Sequence, residues 1–283
     1  MEMRREMQLK NKKRIINCLI FLFCCSMAFI MVVPFIWMLS ASFKTNMEIF
    51  DYPVKWIPEV FRSENYIKVW SNIPFFTYFC NTLKLSVIIT LLQLFTCSLA
   101  AFAFTKLKFP GRDKIFLAYL ATMMVPWHAI MIPQFMVVKG LGLYNTHMSL
   151  IMMQAFSAFG VFLLRQSMLS IPTSLHEAAK IDGCSNFRIY RSIILPLTKN
   201  GLATLTVLTF NTVWNDYMGP MIYLDSDHLK TIQIGLASFQ QQFSADYGAI
   251  MAGTVCSVIP IIIVYAVGQK QIVEGVAFAG VKG

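Results

Sequence analysis

The 283-residue chain is 57% hydrophobic, carries charge on only 13% of its residues and has a formal net charge of +10. Soluble domains usually have about twice that share of charged residues, so the composition excludes an ordinary soluble globular protein. The apolar residues also form runs of about 20, which is the length that a helix needs to cross a bilayer. The composition therefore predicts an all-α integral membrane protein.

Six apolar runs follow one another along the chain and predict six transmembrane helices. The predicted spans are Ile15–Leu39, Thr82–Thr105, Ile115–Val138, Met148–Leu164, Gly201–Pro220 and Tyr247–Val267. Pro126 and Pro133 fall within the third run and predict a kinked or discontinuous helix there, either beside a cavity or as a purely structural kink. Pro260 predicts a bend in the sixth run.

The polar intervals around these runs divide the chain into parts. They are a leader with the first span at 1–43, an extracytoplasmic loop at 44–81, a core with five spans at 82–268 and a tail at 269–283. Trp56, Tyr66 and Trp70 in the loop are typical of the membrane–water interface. The seven cysteines show no metal-ligand spacing, and most of them lie inside apolar runs, so we predict no metal site.

The basic residues predict the topology. An even number of spans places both termini on one side, and most of the 24 lysines and arginines lie on that side. They concentrate in the N-terminal leader, in the turn 106–114 and in the interval 165–199. The positive-inside rule therefore predicts that both termini are cytoplasmic. Because topology accounts for the net charge, no nucleic-acid partner is predicted.

The polar interval Ile171–Asn200 contains strong helix signals. Ser174, with Glu177 three residues later, predicts a capping box at the start of a helix. Gly183 predicts a left-handed residue that ends this helix, and Ser185 predicts the cap of a second one. The residues predicted to share one side of the second helix are Phe187, Tyr190 and Ile194. Helices this short are marginal alone, so we predict that the interval docks on another protein.

The same interval resembles the EAA signature of the permease subunits of ABC importers. The matching residues, at the spacing of that signature, are Glu177-Ala178-Ala179, Gly183 and Ile193-x-Leu195-Pro196. Further similarity to the maltose-transporter type of sugar permease covers nearly the whole chain. It lies at Asn81-Thr82, Phe104-x-Lys106-Leu107-x-Phe109-x-Gly111, Trp214-Asn215-Asp216-Tyr217, Val273-Glu274-Gly275 and Gly280-Val281-Lys282-Gly283.

This resemblance implies a type I ABC importer fold in a bacterial inner or plasma membrane. It implies a second permease chain, two copies of an ATP-hydrolysing subunit and an extracytoplasmic sugar-binding protein as partners. The first helix of the interval would be the cytoplasmic coupling helix that docks on the ATPase. The implied coupling residues are Glu177, Ala178, Ala179, Asp182 and Gly183. The chain has no Gly-x-x-x-x-Gly-Lys-Ser/Thr phosphate loop, so we expect it to be no enzyme and to hold no cofactor, with ATP and Mg on the partner.

Polar residues near the end of the fifth span are candidates for contact with the transported substrate. Asn211 and Asn215 are four residues apart and share a helix face. Amides, carboxylates and aromatic rings are the groups that recognise sugars, so the candidates are Asn211, Trp214, Asn215 and Asp216. The alternative is that these residues join the helices of two permeases. An oligosaccharide is the expected cargo, while a sugar alcohol or a glycerol phosphate ester remains open.

Two other classes of function fit a membrane chain. An ion-coupled secondary carrier usually needs ionisable groups near the middle of the membrane, and only Asp216 comes close to that position. A membrane-embedded enzyme needs a cluster of catalytic or metal-binding side chains, which the sequence does not show. Neither class gives a role to the interval Ile171–Asn200. We therefore predict the permease of an importer.

Overall fold

A computed structural model describes residues 2–240 and 245–280, with side chains described for 12–240 and 245–271. In these ranges the chain forms helices and no β-strand, as the composition predicted. The α-helices are α1 (Glu2–Ala41), α2 (Asn46–Ile49), α3 (Glu64–Asn72), α4 (Phe75–Lys106), α5 (Arg112–Ala121), α6 (Trp127–Gly140), α7 (His147–Gln154), α8 (Ala158–Leu169), α9 (Thr173–Ile181), α10 (Asn186–Ile189), α11 (Leu195–Leu197), α12 (Lys199–Trp214), α13 (Met218–Tyr223), α14 (Ile232–Ala237) and α15 (Tyr247–Gly280). Thr122–Met124 and Asp227–Leu229 form 3₁₀ turns, and Tyr190–Ile194 forms a π-helical turn.

The described helices supply up to six membrane spans. Three of them, in α1, α4 and α15, are long and apolar enough to cross a bilayer alone. Three more spans arise if each of three bent pairs counts as one. These pairs are Arg112–Met124 with α6, α7 with α8, and Asn186–Leu197 with α12, bent by 100°, 42° and 77°. The six-span architecture predicted from hydropathy is therefore confirmed.

The prolines affect the spans unequally. The 100° bend in the third span falls at Pro126, where the chain becomes extended before α6, so the predicted discontinuity is confirmed there. Pro133 lies inside α6, and Pro260 lies inside α15, which runs without interruption. α15 also continues past the predicted end of the span at Val267, so residues 269–280 of the predicted tail are helical. The motif residues 281–283 lie outside the described ranges.

The chain divides into two compact units, one formed by Met1–Val69 with Phe239–Cys256 and the other by Trp70–Ser238 with Ser257–Gly283. In the first unit, the buried Asn65 holds the chain that follows α1. Its side-chain amide donates hydrogen bonds to the carbonyl oxygens of Ser42 and Lys44, at 2.9 and 2.8 Å. Lys68 forms an ion pair with Asp246 at 3.0 Å. These contacts organise the segment that was predicted as the extracytoplasmic loop.

The second unit is built around α4. At about 1.5 Å per residue, its 32 residues extend for roughly 48 Å, which exceeds the apolar thickness of a bilayer. α8 and α12 both pack along it. Gly160 allows α8 to approach closely, because a Cβ at this position would lie 2.8 Å from the sulfur of Cys97 on α4. The C-terminal end of α4 enters a buried apolar cluster with Leu164, Ile189 and Ile194.

Candidate functional site

The EAA interval, Ile171–Asn200, forms α9 and then a second helical piece, Asn186–Leu197, which is made of α10, the π-helical turn and α11. The first helix does not begin as the sequence predicted. α9 begins at Thr173 and has Pro172 at its N-cap position, with no side-chain cap. Ser174 is therefore already inside the first turn, and the predicted capping box with Glu177 is wrong. The physical reason lies in the proline, whose fixed φ of −55° starts the helix one residue before the serine.

The end of α9 and the start of the next helix follow the prediction. Gly183 has a φ of +77°, the left-handed conformation that glycine adopts without strain. The hydroxyl of Ser185 caps α10 by accepting a hydrogen bond from the amide of Arg188 at 3.3 Å. Phe187, Tyr190 and Ile194 were predicted to share one side, and the rings of Phe187 and Tyr190 do lie 6.0 Å apart. Tyr190 and Ile194 are buried, whereas Phe187 is 62% exposed. The π-helical turn after α10 changes the helical register, which the sequence pattern did not show.

The predicted coupling residues lie on different faces of α9. Glu177, Ala178 and Asp182 are exposed, and Gly183 forms the corner, whereas Ala179 is buried at 5% exposure. The exposed face also presents Leu175 and Ile181, with 44% and 86% of their surfaces accessible. Leu175, Ala178 and Ile181 recur at intervals of three residues, and this spacing could have revealed their shared face. The result is a small apolar surface bordered by carboxylates.

The inner face of α9 rests on the end of α4. His176 is buried, and its ring lies 6.2 Å from that of Phe102 on α4. Burial lowers the pKa of His176, and the nearby charges of Lys180 and Lys106 lower it further, while Glu177 acts in the opposite direction. The imidazole is therefore held in its neutral form near pH 7.

All four candidate substrate residues lie on or just after the end of α12. Asn211 and Asn215 are exposed and paired, because the Asn215 amide donates to the backbone oxygen of Asn211 at 2.9 Å and to its side-chain oxygen at 3.1 Å. Trp214 is fully buried, and its indole N–H donates to the backbone oxygen of Ser257 at 3.0 Å. The two asparagines can therefore face a solute in this conformation, while the tryptophan ring is covered by the chain itself.

Asp216 takes part in a different polar network. Its carboxylate accepts hydrogen bonds from the amide of Gly219 at 3.0 Å and from the side chain of Gln154 at 2.9 Å. The backbone oxygen of Gln154 accepts from Gln93 on α4 at 2.7 Å, and Gln93 in turn accepts from Thr209 at 3.0 Å. The sequence did not single out Gln93 or Gln154. Each of them is a single amide side chain within an apolar run, and such an amide needs a hydrogen-bond partner inside the membrane. This feature could have marked both residues in the sequence.

Comparison with known proteins identifies the family. Residues 93–277, more than half of the chain, match the model described as binding-protein-dependent transport system inner membrane component. The chain belongs to this family. The matched region includes α9, the glycine corner and the polar network around Gln93.

Individual relatives align with this chain over nearly its full length. The lactose transport system permease protein of Rhizobium radiobacter is 33% identical over 248 residues, which cover 88% of this chain and 90% of the relative. The arabinooligosaccharides transport system permease protein of Bacillus subtilis is 31% identical over 265 residues, covering 93% and 94%. A solved bacterial ABC transporter involved in alginate import contains a chain with a TM-score of 0.79 and 26% identity, covering 92% of this chain and 97% of that one.

These findings confirm the resemblance and the type I ABC importer permease fold. The protein is a multi-pass membrane permease of an ABC transporter. None of the similarities described above supports the alternative of an ion-coupled secondary carrier.

Proposed function

We propose that this chain is one of two permease subunits of an ATP-driven importer for a carbohydrate, with an oligosaccharide as the favoured cargo. Two relatives above 30% identity are named as permeases for lactose and for arabinooligosaccharides. The solved neighbour belongs to a transporter that imports a polysaccharide. The chain itself hydrolyses no ATP in this proposal. ATP and Mg bind to a separate subunit.

The exposed face of α9 is the observation that carries this proposal. Ile181 exposes 86% of its surface, nearly two helical turns from Leu175 and beside the Gly183 corner. A large aliphatic side chain in a cytoplasmic segment loses favourable burial energy unless another surface covers it. An ATPase groove that accepts a short helix supplies that cover. Ala178 allows close approach, and Glu177 and Asp182 supply hydrogen-bond acceptors at the border.

The remaining assembly follows from this role. A second permease completes the translocation path, each permease holds one copy of the ATPase, and an extracytoplasmic binding protein delivers the carbohydrate. The chain lies in the bacterial cell membrane with both termini and α9 in the cytoplasm. The excess of basic residues on that side supports this orientation.

A pull-down from native membranes tests the coupling role. We expect the wild-type chain to retain a second permease and an ATPase. In a parallel uptake assay, we expect Gly183→Asp or Glu177→Arg to reduce the rate of carbohydrate uptake at least about tenfold, equivalent to about 1.4 kcal/mol of activation free energy. A Cβ at position 183 meets no atom within 4 Å, but the φ of +77° strains any residue other than glycine, so Gly183→Asp changes the corner as well as the docking surface. Glu177→Arg reverses an exposed charge on α9 and tests the docking surface without that backbone strain. The control is Glu64→Arg, which reverses an exposed charge on α3. Wild-type uptake in both coupling variants would contradict the proposal.

For the translocation path, we propose that Asn211, Asn215 and Asp216 contribute polar groups, and that the buried Trp214 shapes the wall behind them. Asn211→Leu tests this role, because it removes an exposed amide and leaves the Gln154–Asp216 hydrogen bond in place. We expect uptake to fall while the second permease is still recovered in the pull-down. Loss of the second permease would instead assign Asn211 to the contact between the two permeases.

A further inference from the structure

One face of α4 carries three residues that hold the EAA interval. Ser98, Phe102 and Lys106 are spaced four residues apart and therefore lie in a row. The hydroxyl of Ser98 is 2.7 Å from that of Tyr190, and the ring of Phe102 lies 5.4 Å from the same tyrosine ring. Phe102 also faces His176 of α9. Lys106, at the end of the row, is the last residue of α4.

Lys106 makes an unusual contact for a lysine at the end of a membrane span. Only 9% of its surface is exposed, and its ammonium donates a 2.7 Å hydrogen bond to the backbone oxygen of Ile171. Among the side chains that the structure describes, no carboxylate forms an ion pair with it. The bonded carbonyl lies two residues beyond the C-terminal end of α8 and directly before Pro172 at the start of α9.

The location explains why a buried charge is tolerated. The C-terminal ends of α4 and α8 both carry partial negative charge, which favours a cation between them. A neutral side chain of the same length would fill the space but would leave the Ile171 oxygen without this donor. The interaction therefore links the end of a membrane-spanning helix to the residue just before the N-cap of α9.

We propose that Lys106 is a positioning residue that fastens the start of α9 to α4, so that the two helices move together during the transport cycle. This inference rests on the proposed function, because it takes α9 as the contact with the ATPase. Lys106 does not touch the ATPase in this proposal. It acts through the orientation of α9.

The test uses the full transporter reconstituted with its ATPase and binding protein. In Lys106→Met we expect the ATPase to copurify, while the ratio of carbohydrate-stimulated to basal ATP hydrolysis falls about fivefold or more. Lys106→Arg retains a charged donor and should restore most of that ratio. Lys108→Met, which removes an exposed lysine two residues away, is the matched control and should behave as the wild type.

Hydrogen exchange on the purified chain gives a second readout that needs no ATPase. We expect the amides of α9 to exchange faster in Lys106→Met and to regain protection in Lys106→Arg, with the rest of α4 unchanged. Wild-type coupling or unchanged α9 exchange in Lys106→Met would overturn the proposal, and so would a coupling defect that Lys106→Arg leaves uncorrected. If the wild-type chain retains no ATPase, the proposed function fails, and the exchange data alone decide whether Lys106 holds α9.

Discussion

His176 is a titratable residue at the contact between α9 and α4. It is 7% exposed, and its Nδ1 atom has no hydrogen-bond partner in the described structure. Its folded pKa lies below the ordinary value of 6.5 because of burial and because of Lys180 on α9 and Lys106 on α4, with Glu177 opposing them. A His with a depressed folded pKa favours the folded state fully above pH 6.5, and this advantage is lost as the pH falls below that value.

We therefore predict a pH-dependent difference between the wild type and His176→Gln. The melting temperatures of the two purified chains should change differently between pH 7.5 and 5.5, with the wild type losing on the order of 2 °C more. Because the glutamine does not titrate, it removes only the contribution of this imidazole, and other acid-sensitive groups cancel in the comparison. If the melting temperatures of the wild type and His176→Gln fell equally between the two pH values, the predicted effect of protonating His176 at the contact between α9 and α4 would be wrong.

Single residues also show what a sequence reveals and what it conceals. Gly183 and Ser185 were identified correctly, because a left-handed stop and a cap are local properties of a few neighbouring residues. Ser174 was misassigned because Pro172 competes for the same helix start. The inward position of Ala179 and the exposure of Ile181 depend on where α4 packs, which no local pattern records.

At the scale of elements, the fourth span shows the same limit. Its predicted run, Met148–Leu164, contains no proline, yet α7 ends at Gln154 and α8 begins at Ala158 after a 42° bend. Helix breaks inside a membrane require partners for the freed carbonyl oxygens. On α4, Gln93 donates to the oxygen of Gln154, and Thr96 donates to that of Ala155 at 2.8 Å.

The break therefore depends on a neighbouring helix and could not be read from its own residues. The third span differs, because its discontinuity at Pro126 is encoded locally by the proline that cannot donate a hydrogen bond. Six spans, their order and an interruption of the third span were thus predictable from the lengths of the apolar runs and from the prolines within them. The packing of the other helices around α4 could not be predicted from the sequence.

For the whole molecule, the orientation in the membrane determines whether α9 can meet an ATPase. The basic residues predict that α9 is cytoplasmic, and the same rule places the segment between α13 and α14 outside the cell. A useful probe lies in each segment. Cys184 follows the Gly183 corner and is partly exposed, and Asp225 is exposed between α13 and the following 3₁₀ turn.

We predict opposite accessibility for these two positions in intact cells. A variant with Cys184 as its single cysteine should react with a membrane-impermeant maleimide only after the membrane is opened, because α9 faces the cytoplasm. A variant with Asp225→Cys as its single cysteine should react from outside without that treatment. Uptake measured in both variants checks that the fold survives the replacements. The reverse labelling pattern would place α9 outside the cell, where ATP and its hydrolysing subunit are absent, and the coupling role would then be wrong.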